Sequence, residues 1–257
     1  MQTKSSFLFR FFIASLCIIP VLILLALSFS KNWAFPSLFA QEFSTAAWVD
    51  LFTPGNSISA SLVTSLIVAL LVGVTATAMG FFVSKTIAYH RYRRSLLLLA
   101  YLPFVLSPVI LAVCLKYYFI KMNVAGTVWG VIIAQLVIAL PYSIIFFSGF
   151  WNQRIKEYEA VVSTLGGKPG YALRKVIIPL SKSLLLICFF QCFLISWFEY
   201  GLTSVIGYGK VQTLTVKVYQ FLTEANIFYA ALSCCLLILP PVILLWINKR
   251  IILRYLN

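Results

Sequence analysis

Long runs without a single charged residue limit what this chain can fold into. Residues 11–29, 58–84, 95–115 and 225–248 contain no Asp, Glu, Lys or Arg, and neither does 122–153. Residues 183–209 carry one charge, Glu199. A helix crosses the hydrocarbon core of a bilayer with roughly 20 apolar residues, so each run is long enough to cross once. Within 122–153 the helix is placed at 126–150. Six such runs in 257 residues leave no length for a soluble domain. The expected fold is therefore all-α and integral to the membrane, with six transmembrane helices in one domain, 1–257. Composition agrees: 62% of residues are apolar and 10% charged, against about 45–50% and about 25% in soluble domains. No small-residue cleavage site follows the first run, which reads as a retained helix.

A net charge of +14 raises the question of nucleic acid, and its distribution answers it. With the N-terminus in the cytoplasm, the inner segments hold Lys4, Arg10, Lys85, Arg91, Arg93, Arg94, Arg154, Lys156, Lys168, Arg174, Lys175, Lys182, Lys249, Arg250 and Arg254. The outer segments hold only Lys31, Lys116, Lys121, Lys210 and Lys217. This is the positive-inside bias. It expects both termini in the cytoplasm, and a basic surface that meets anionic lipid headgroups, with no nucleic-acid partner.

The remaining reactive residue types point to packing. All six cysteines fall inside expected spans, away from loops where disulfides form. Cys188 and Cys192 share a helical face, and they read as small buried hydrophobes with no metal expected. The one histidine, His90, lies in the basic loop KTIAYHRYRRS and reads as a surface residue. Ser30 to Ser57 is rich in aromatics (Trp33, Phe35, Phe39, Phe43, Trp48, Phe52) that suit a membrane–water interface. Pro103 and Pro108 should kink or break the third span. An ionised Glu199 inside a span costs roughly 2.5–3.5 kcal/mol. It reads either as a substrate-pathway acid or as a carboxylate reaching the interface or a lysine such as Lys116 or Lys121.

The polar segment between the fourth and fifth runs, about 151–182, cannot span. Asn152 is a candidate N-cap. Ile155, Tyr158, Val162 and Leu165 follow at i, i+3, i+7 and i+10 as one apolar face. Gly166 can end that helix in the left-handed conformation. Pro169 favours a new helix start, Tyr171 to Ile178 forms a second short basic helix, and Pro179 opens the fifth span. The expected element is a helix–turn–helix on the membrane surface that serves as a docking platform.

The run YEAVVSTLGGKPGYALRKVIIPL, residues 158–180, resembles the cytoplasmic loop of binding-protein-dependent ABC importer permeases. That loop reads Glu-Ala-Ala, three residues, Gly, a run of nine, then Ile or Val, one residue, Leu and Pro. Gly166, Gly167, Pro169, Leu173, Arg174, Val176, Ile178, Pro179 and Leu180 fall in register. The first half departs. Ala160 stands at the glutamate position, Val161 and Val162 replace the alanines, and Glu159 comes one residue early. KTIAYHRYRRSLLLLAYLPFVLSPVILAV and GTVWGVIIAQLVIALPYSIIFF are similar to the family's loop with third span and to its fourth span.

The resemblance implies half of a type I importer in the bacterial inner membrane. Its partners are an ABC ATPase dimer, an extracytoplasmic substrate-binding protein and a second permease subunit, a related chain in preference to an identical one. The coupling residues it implies are Tyr158, Glu159, Ala160, Val162, Leu165, Gly166, Gly167, Pro169 and Pro179. The partner subunits bind ATP. This chain has no G-x-x-x-x-G-K-[ST] phosphate loop, since GGKPG lacks the spacing and the hydroxyl, and no cofactor of its own is expected. An intramembrane enzyme would need a nucleophile–base pair or metal ligands in the spans, where the one acid is Glu199. A secondary transporter would favour internal repeats, and none is visible. FEYGLTSVIGYGKVQTLTVKVYQ resembles the branch that handles polyamines, thiamine, ferric iron or phosphonates.

Overall fold

A computed structural model describes residues 15–16, 18–31 and 42–256, the side chains as far as 246. Trp33, Phe35, Phe39, Lys4 and Arg10 lie outside the described residues. Apart from one isolated bridge between Ser30 and Phe43, the regular structure among the described residues is helical. In order, the helices are α1 (Ile18–Ser28), α2 (Ala46–Asp50), α3 (Ser57–Ala88), α4 (Arg93–Val105), α5 (Pro108–Lys121), α6 (Val128–Phe147) and α7 (Gln153–Thr164). They continue with α8 (Pro169–Ala172), a π-helical turn (Leu173–Ile177), α9 (Ile178–Trp197), α10 (Gly201–Ile206), α11 (Leu214–Thr223) and α12 (Ile227–Leu256).

Among the described residues, four helical stretches are long and apolar enough to cross a membrane: Ser57–Ala88, Val128–Phe147, Pro169–Trp197 and Ile227–Trp246. The pair α4 and α5 makes a fifth if its halves count as one span. The expected first span, 11–29, is described only over α1. Outward faces are apolar, with Leu98 72% and Val105 77% exposed. Lipid can cover such a surface, whereas water rarely meets contiguous apolar patches beyond a few hundred Å².

The expected third span is broken just before Pro108, while Pro103 lies within α4. α4 and α5 meet at 98°. Leu106 and Ser107 are extended, with ψ near 142° and 141°. A proline ring clashes with a preceding residue in the α region, so Ser107 is held extended and Pro108 restarts the chain as the first residue of α5.

The expected fifth span differs from its reading at both ends. Pro179 does not open it. Helix runs without interruption from Pro169, so the second short basic helix is the beginning of the span. Pro179 lacks an N–H and would clash with the carbonyl four residues back. The chain absorbs this by widening one turn, and the Ile178 N–H bonds to Leu173 O, five residues away. At the other end the helix stops at Trp197, and Gly201–Ile206 is a separate short helix.

The chain divides into two compact units. One comprises Thr64–Gln212 with Leu244–Asn257, and the other Met1–Val63 with Thr213–Ile243. In the first, Val68, Val72 and Ala76 of α3 pack with Val131, Ala139 and Phe147 of α6 and with Cys188 and Cys192 of α9. Two glycines permit this approach. A Cβ on Gly80 would lie 2.0 Å from Ser143 Oγ, and one on Gly73 would lie 3.1 Å from the Phe189 ring. Small residues at helix contacts let backbones close in a membrane. A second cluster joins Ala112 and Phe119 of α5, Ala134 and Ile138 of α6, and Leu202 and Ile206 of α10. In the other unit, Phe29 stacks on Trp48 at 5.4 Å, and Tyr229 donates to Asp50 Oδ2 at 3.0 Å.

Candidate functional site

The polar segment forms α7 for local reasons. Asn152 is extended, and its side chain accepts from the Ile155 N–H at 3.2 Å, filling one of the donors a helix start leaves unpaired. The other end closes as a Schellman motif. Gly167 N donates to Val162 O at 2.9 Å and Gly166 N to Ser163 O at 3.0 Å. The two glycines serve different needs. Gly166 has φ +77°, and a Cβ there would meet nothing within 4 Å. A Cβ on Gly167 would lie 2.9 Å from Val162 O and 2.6 Å from its Cγ1.

One face of α7 is fixed to α3. Trp151, 1% exposed, lies 4.8 Å from the Phe81 ring and donates its Nε1–H to Ser84 Oγ at 2.8 Å. Ile155 is buried in the same cluster. One turn on, Glu159 pairs with Lys85 at 2.5 Å. Lys85 Nζ also stands 5.5 Å above the Trp151 ring, and Lys156 stands over Tyr89 at 5.9 Å. Desolvation, then the charge of Glu159, raises the Tyr89 hydroxyl above its ordinary value. Arg93 adds a hydrogen bond to Ser148 O at 2.9 Å, where the chain leaves α6.

The opposite face is bare. Tyr158 is 40% exposed, Val161 56% and Leu165 82%, whereas Ala160, also exposed, lies on another side, lining a concavity with Lys85, Lys156 and Glu159. Beside the bare face a concavity of about 540 Å³ is lined by Val162, Leu165, Gly166, Gly167, Lys168 and Tyr171. The expected apolar face thus divides. Ile155 turns to the core, Val162 is half-buried, and Tyr158 and Leu165 face out with Val161, which the periodicity reading missed. The spacing 158, 161, 165 is as helical as the spacing read from sequence. It is found only once Trp151 and Ile155 show which side the chain itself covers. Pro169 is the first residue of α8, and Pro179 lies within the following helix.

Two substitutions at Gly166 separate conformation from contact. Asparagine tolerates a positive φ and valine does not. Gly166→Val should destabilise the turn by roughly 1–3 kcal/mol, and Gly166→Asn by clearly less. Protease sensitivity of the 164–168 bonds in membrane vesicles measures this, and equal sensitivity in both variants would disprove the conformational account.

Glu199 sits in the break between α9 and α10. Its carboxylate accepts from Leu202 N at 2.6 Å, Thr203 N at 3.0 Å and Thr203 Oγ1 at 2.8 Å. The two N–H groups belong to a helix start, which favours a negative charge. Gln135 continues the chain, donating to Thr203 Oγ1 at 2.9 Å and accepting from Ser196 Oγ. The acid and the buried amide thereby join α6, α9 and α10. Lys116 stands over the Tyr208 ring at 4.6 Å. Cys188 and Cys192, both buried, have their sulfurs 4.0 Å apart, and Cys188 reaches Ser143 Oγ at 3.4 Å.

The chain is similar to known proteins. Residues 74–255 match the family model described as binding-protein-dependent transport system inner membrane component. The molybdenum transport system permease ModB of Mycobacterium tuberculosis is 28% identical over 221 residues, covering 79% of this chain and 83% of its own. The spermidine/putrescine permease PotC of Haemophilus influenzae is 25% identical, covering 82% of each chain. The putative 2-aminoethylphosphonate permease PhnV of Salmonella typhimurium is 27% identical, covering 92% and 89%. A solved bacterial ABC transporter involved in importing the acidic polysaccharide alginate aligns with a TM-score of 0.66 and 15% identity, over 96% of this chain and 93% of that one. With the matched segment running from within α3 to the end of α12, the chain belongs to the family of binding-protein-dependent transport system inner membrane components.

Proposed function

We propose that the chain is the permease subunit of an ATP-driven ABC importer, a single domain that docks its ATPase through the bare face of α7. The observation that carries this is the exposed set Tyr158, Val161 and Leu165 beside the concavity closed by Gly166, Gly167 and Lys168. An apolar helix face laid into a groove is a common mode of recognition. α7 lies on the cytoplasmic side with both termini, a placement supported by the basic residues of its flanks. A second permease completes the pathway, and a binding protein delivers the solute. ATP is bound by the partners, since this sequence has no phosphate loop. We read Glu199 as the acid that seats α10, because both its oxygens accept bonds from that helix.

Vesicles of opposite orientation test docking and topology together. The cognate ATPase should bind inside-out vesicles and not right-side-out ones. Burying a leucine contributes about 1.5–3 kcal/mol, so Leu165→Asp should weaken binding at least about tenfold. Binding to right-side-out vesicles would overturn the topology, and undiminished binding by Leu165→Asp would overturn the docking face.

A further inference from the structure

We infer that Lys85 and Glu159 are positioning residues: their ion pair fixes α7 to the end of α3, so that displacement of the platform passes to α3 as a rigid-body movement. This deepens the proposed function, because it rests on α7 being the ATPase contact.

The argument begins with two acids on one helix. Glu157 is exposed and Glu159 is not. Two residues apart on an α-helix they point to different sides. Glu159 is thereby turned onto the chain itself, and its carboxylate meets an ammonium 74 residues away in sequence. It does not act alone. Trp151, held by Ser84, lies eight residues earlier, before α7 begins, and Lys85 Nζ stands over its ring at 5.5 Å. Ser84 and Lys85 are adjacent, so the end of α3 holds the platform through two residues, Trp151 ahead of α7 and Glu159 on it.

A single attachment is a pivot, about which a helix can rotate when pushed. Two attachments fix its direction as well as its position. The Trp151 contact is the stronger anchor by burial, and the Lys85–Glu159 pair removes the remaining freedom. Movement accepted at this end is then carried by a continuous helix of 32 residues. α3 packs against α6 at Gly80 and against α9 at Gly73, so those two helices receive what α3 transmits. A partly exposed ion pair contributes little to stability. Breaking it therefore leaves the fold in place and affects how faithfully motion is passed on.

The test uses the full transporter in proteoliposomes, assembled with its ATPase and binding protein. Glu159→Gln and Lys85→Met should each lower solute transported per ATP hydrolysed by about fivefold, the ratio that about 1 kcal/mol corresponds to. ATPase association should stay as in the wild type. The swap of Lys85→Glu with Glu159→Lys should restore the yield. A short reducible crosslink between Lys85→Cys and Glu159→Cys, in a background without other reactive cysteines, should leave transport running. Two results would overturn the inference: a crosslink that halts transport until reduced, since the pair must then part during the cycle, or single variants that transport as efficiently as the wild type. Failure of the underlying reading looks different, because the wild-type chain would then bind no ATPase at all.

Discussion

Trp151→Ala is expected to release the platform from α3. Trp151 is among the largest fully buried side chains, and truncating a buried Trp costs about 3–5 kcal/mol through lost transfer energy and the cavity left behind. The Ser84 hydroxyl also loses its donor. The loss is local, because the spans insert through their own apolarity. The variant should therefore reach the membrane in normal amount, be cut readily between 152 and 168, and no longer recruit the ATPase. Trp151→Phe keeps most of the volume and loses the hydrogen bond, and it should fall between the two. A protease-resistant Trp151→Ala platform would show that α7 is held by something else.

Gly80→Leu should have the opposite signature, with the whole membrane unit failing. A Cβ at residue 80 would lie 2.0 Å from Ser143 Oγ and 3.1 Å from its backbone carbon. Ser143 is itself fully buried. Its hydroxyl can rotate away, but its Cβ, 2.5 Å from the added methyl group, is fixed to the backbone of α6, which can only retreat. Overpacking of this kind typically costs about 1–3 kcal/mol, and more where backbone must move. Gly80→Ala should lower the thermal midpoint in detergent, and Gly80→Leu should abolish extraction as a folded species. If both behave like the wild type, α3 and α6 do not pack as closely as described.

The contrast between these sites explains what could be read in advance. The runs at 58–84 and 126–150 appear as α3 and α6 because a helix that satisfies its own backbone is the one way an isolated apolar segment can lie in lipid. The Asn152 cap and the left-handed Gly166 were also legible, since both needs are met within a few residues of sequence. Pro108 is another local case, because the clash it imposes falls on its immediate neighbour.

Pro179 shows where local reasoning stops. The residue forbids one hydrogen bond, and the chain can answer by ending the helix or by widening a turn. Neighbouring helices that hold Ile177 and Cys188 in the core make the wider turn the better answer. Glu199 is similar. Its charge in an apolar run marked it as needing partners, but those partners are the start of α10, a helix that exists only because span five ends at Trp197.

By itself the sequence determined that this chain lives in a membrane as successive helices, which way its basic segments bias it, and that 151–182 stands apart as a polar element with a Gly-Gly turn. Those properties follow from composition and from interactions a few residues long. Only the tertiary structure decided which side of α7 is bare. Residues 155, 158, 161, 162 and 165 are all apolar, and periodicity marks out a face without saying what covers it. Trp151 seated on Ser84 and Glu159 paired with Lys85 set the rotation of the helix, and both contacts join residues some seventy positions apart. That rotation leaves Tyr158, Val161 and Leu165 facing outward, because the buried indole and the ion pair are satisfied on the other side.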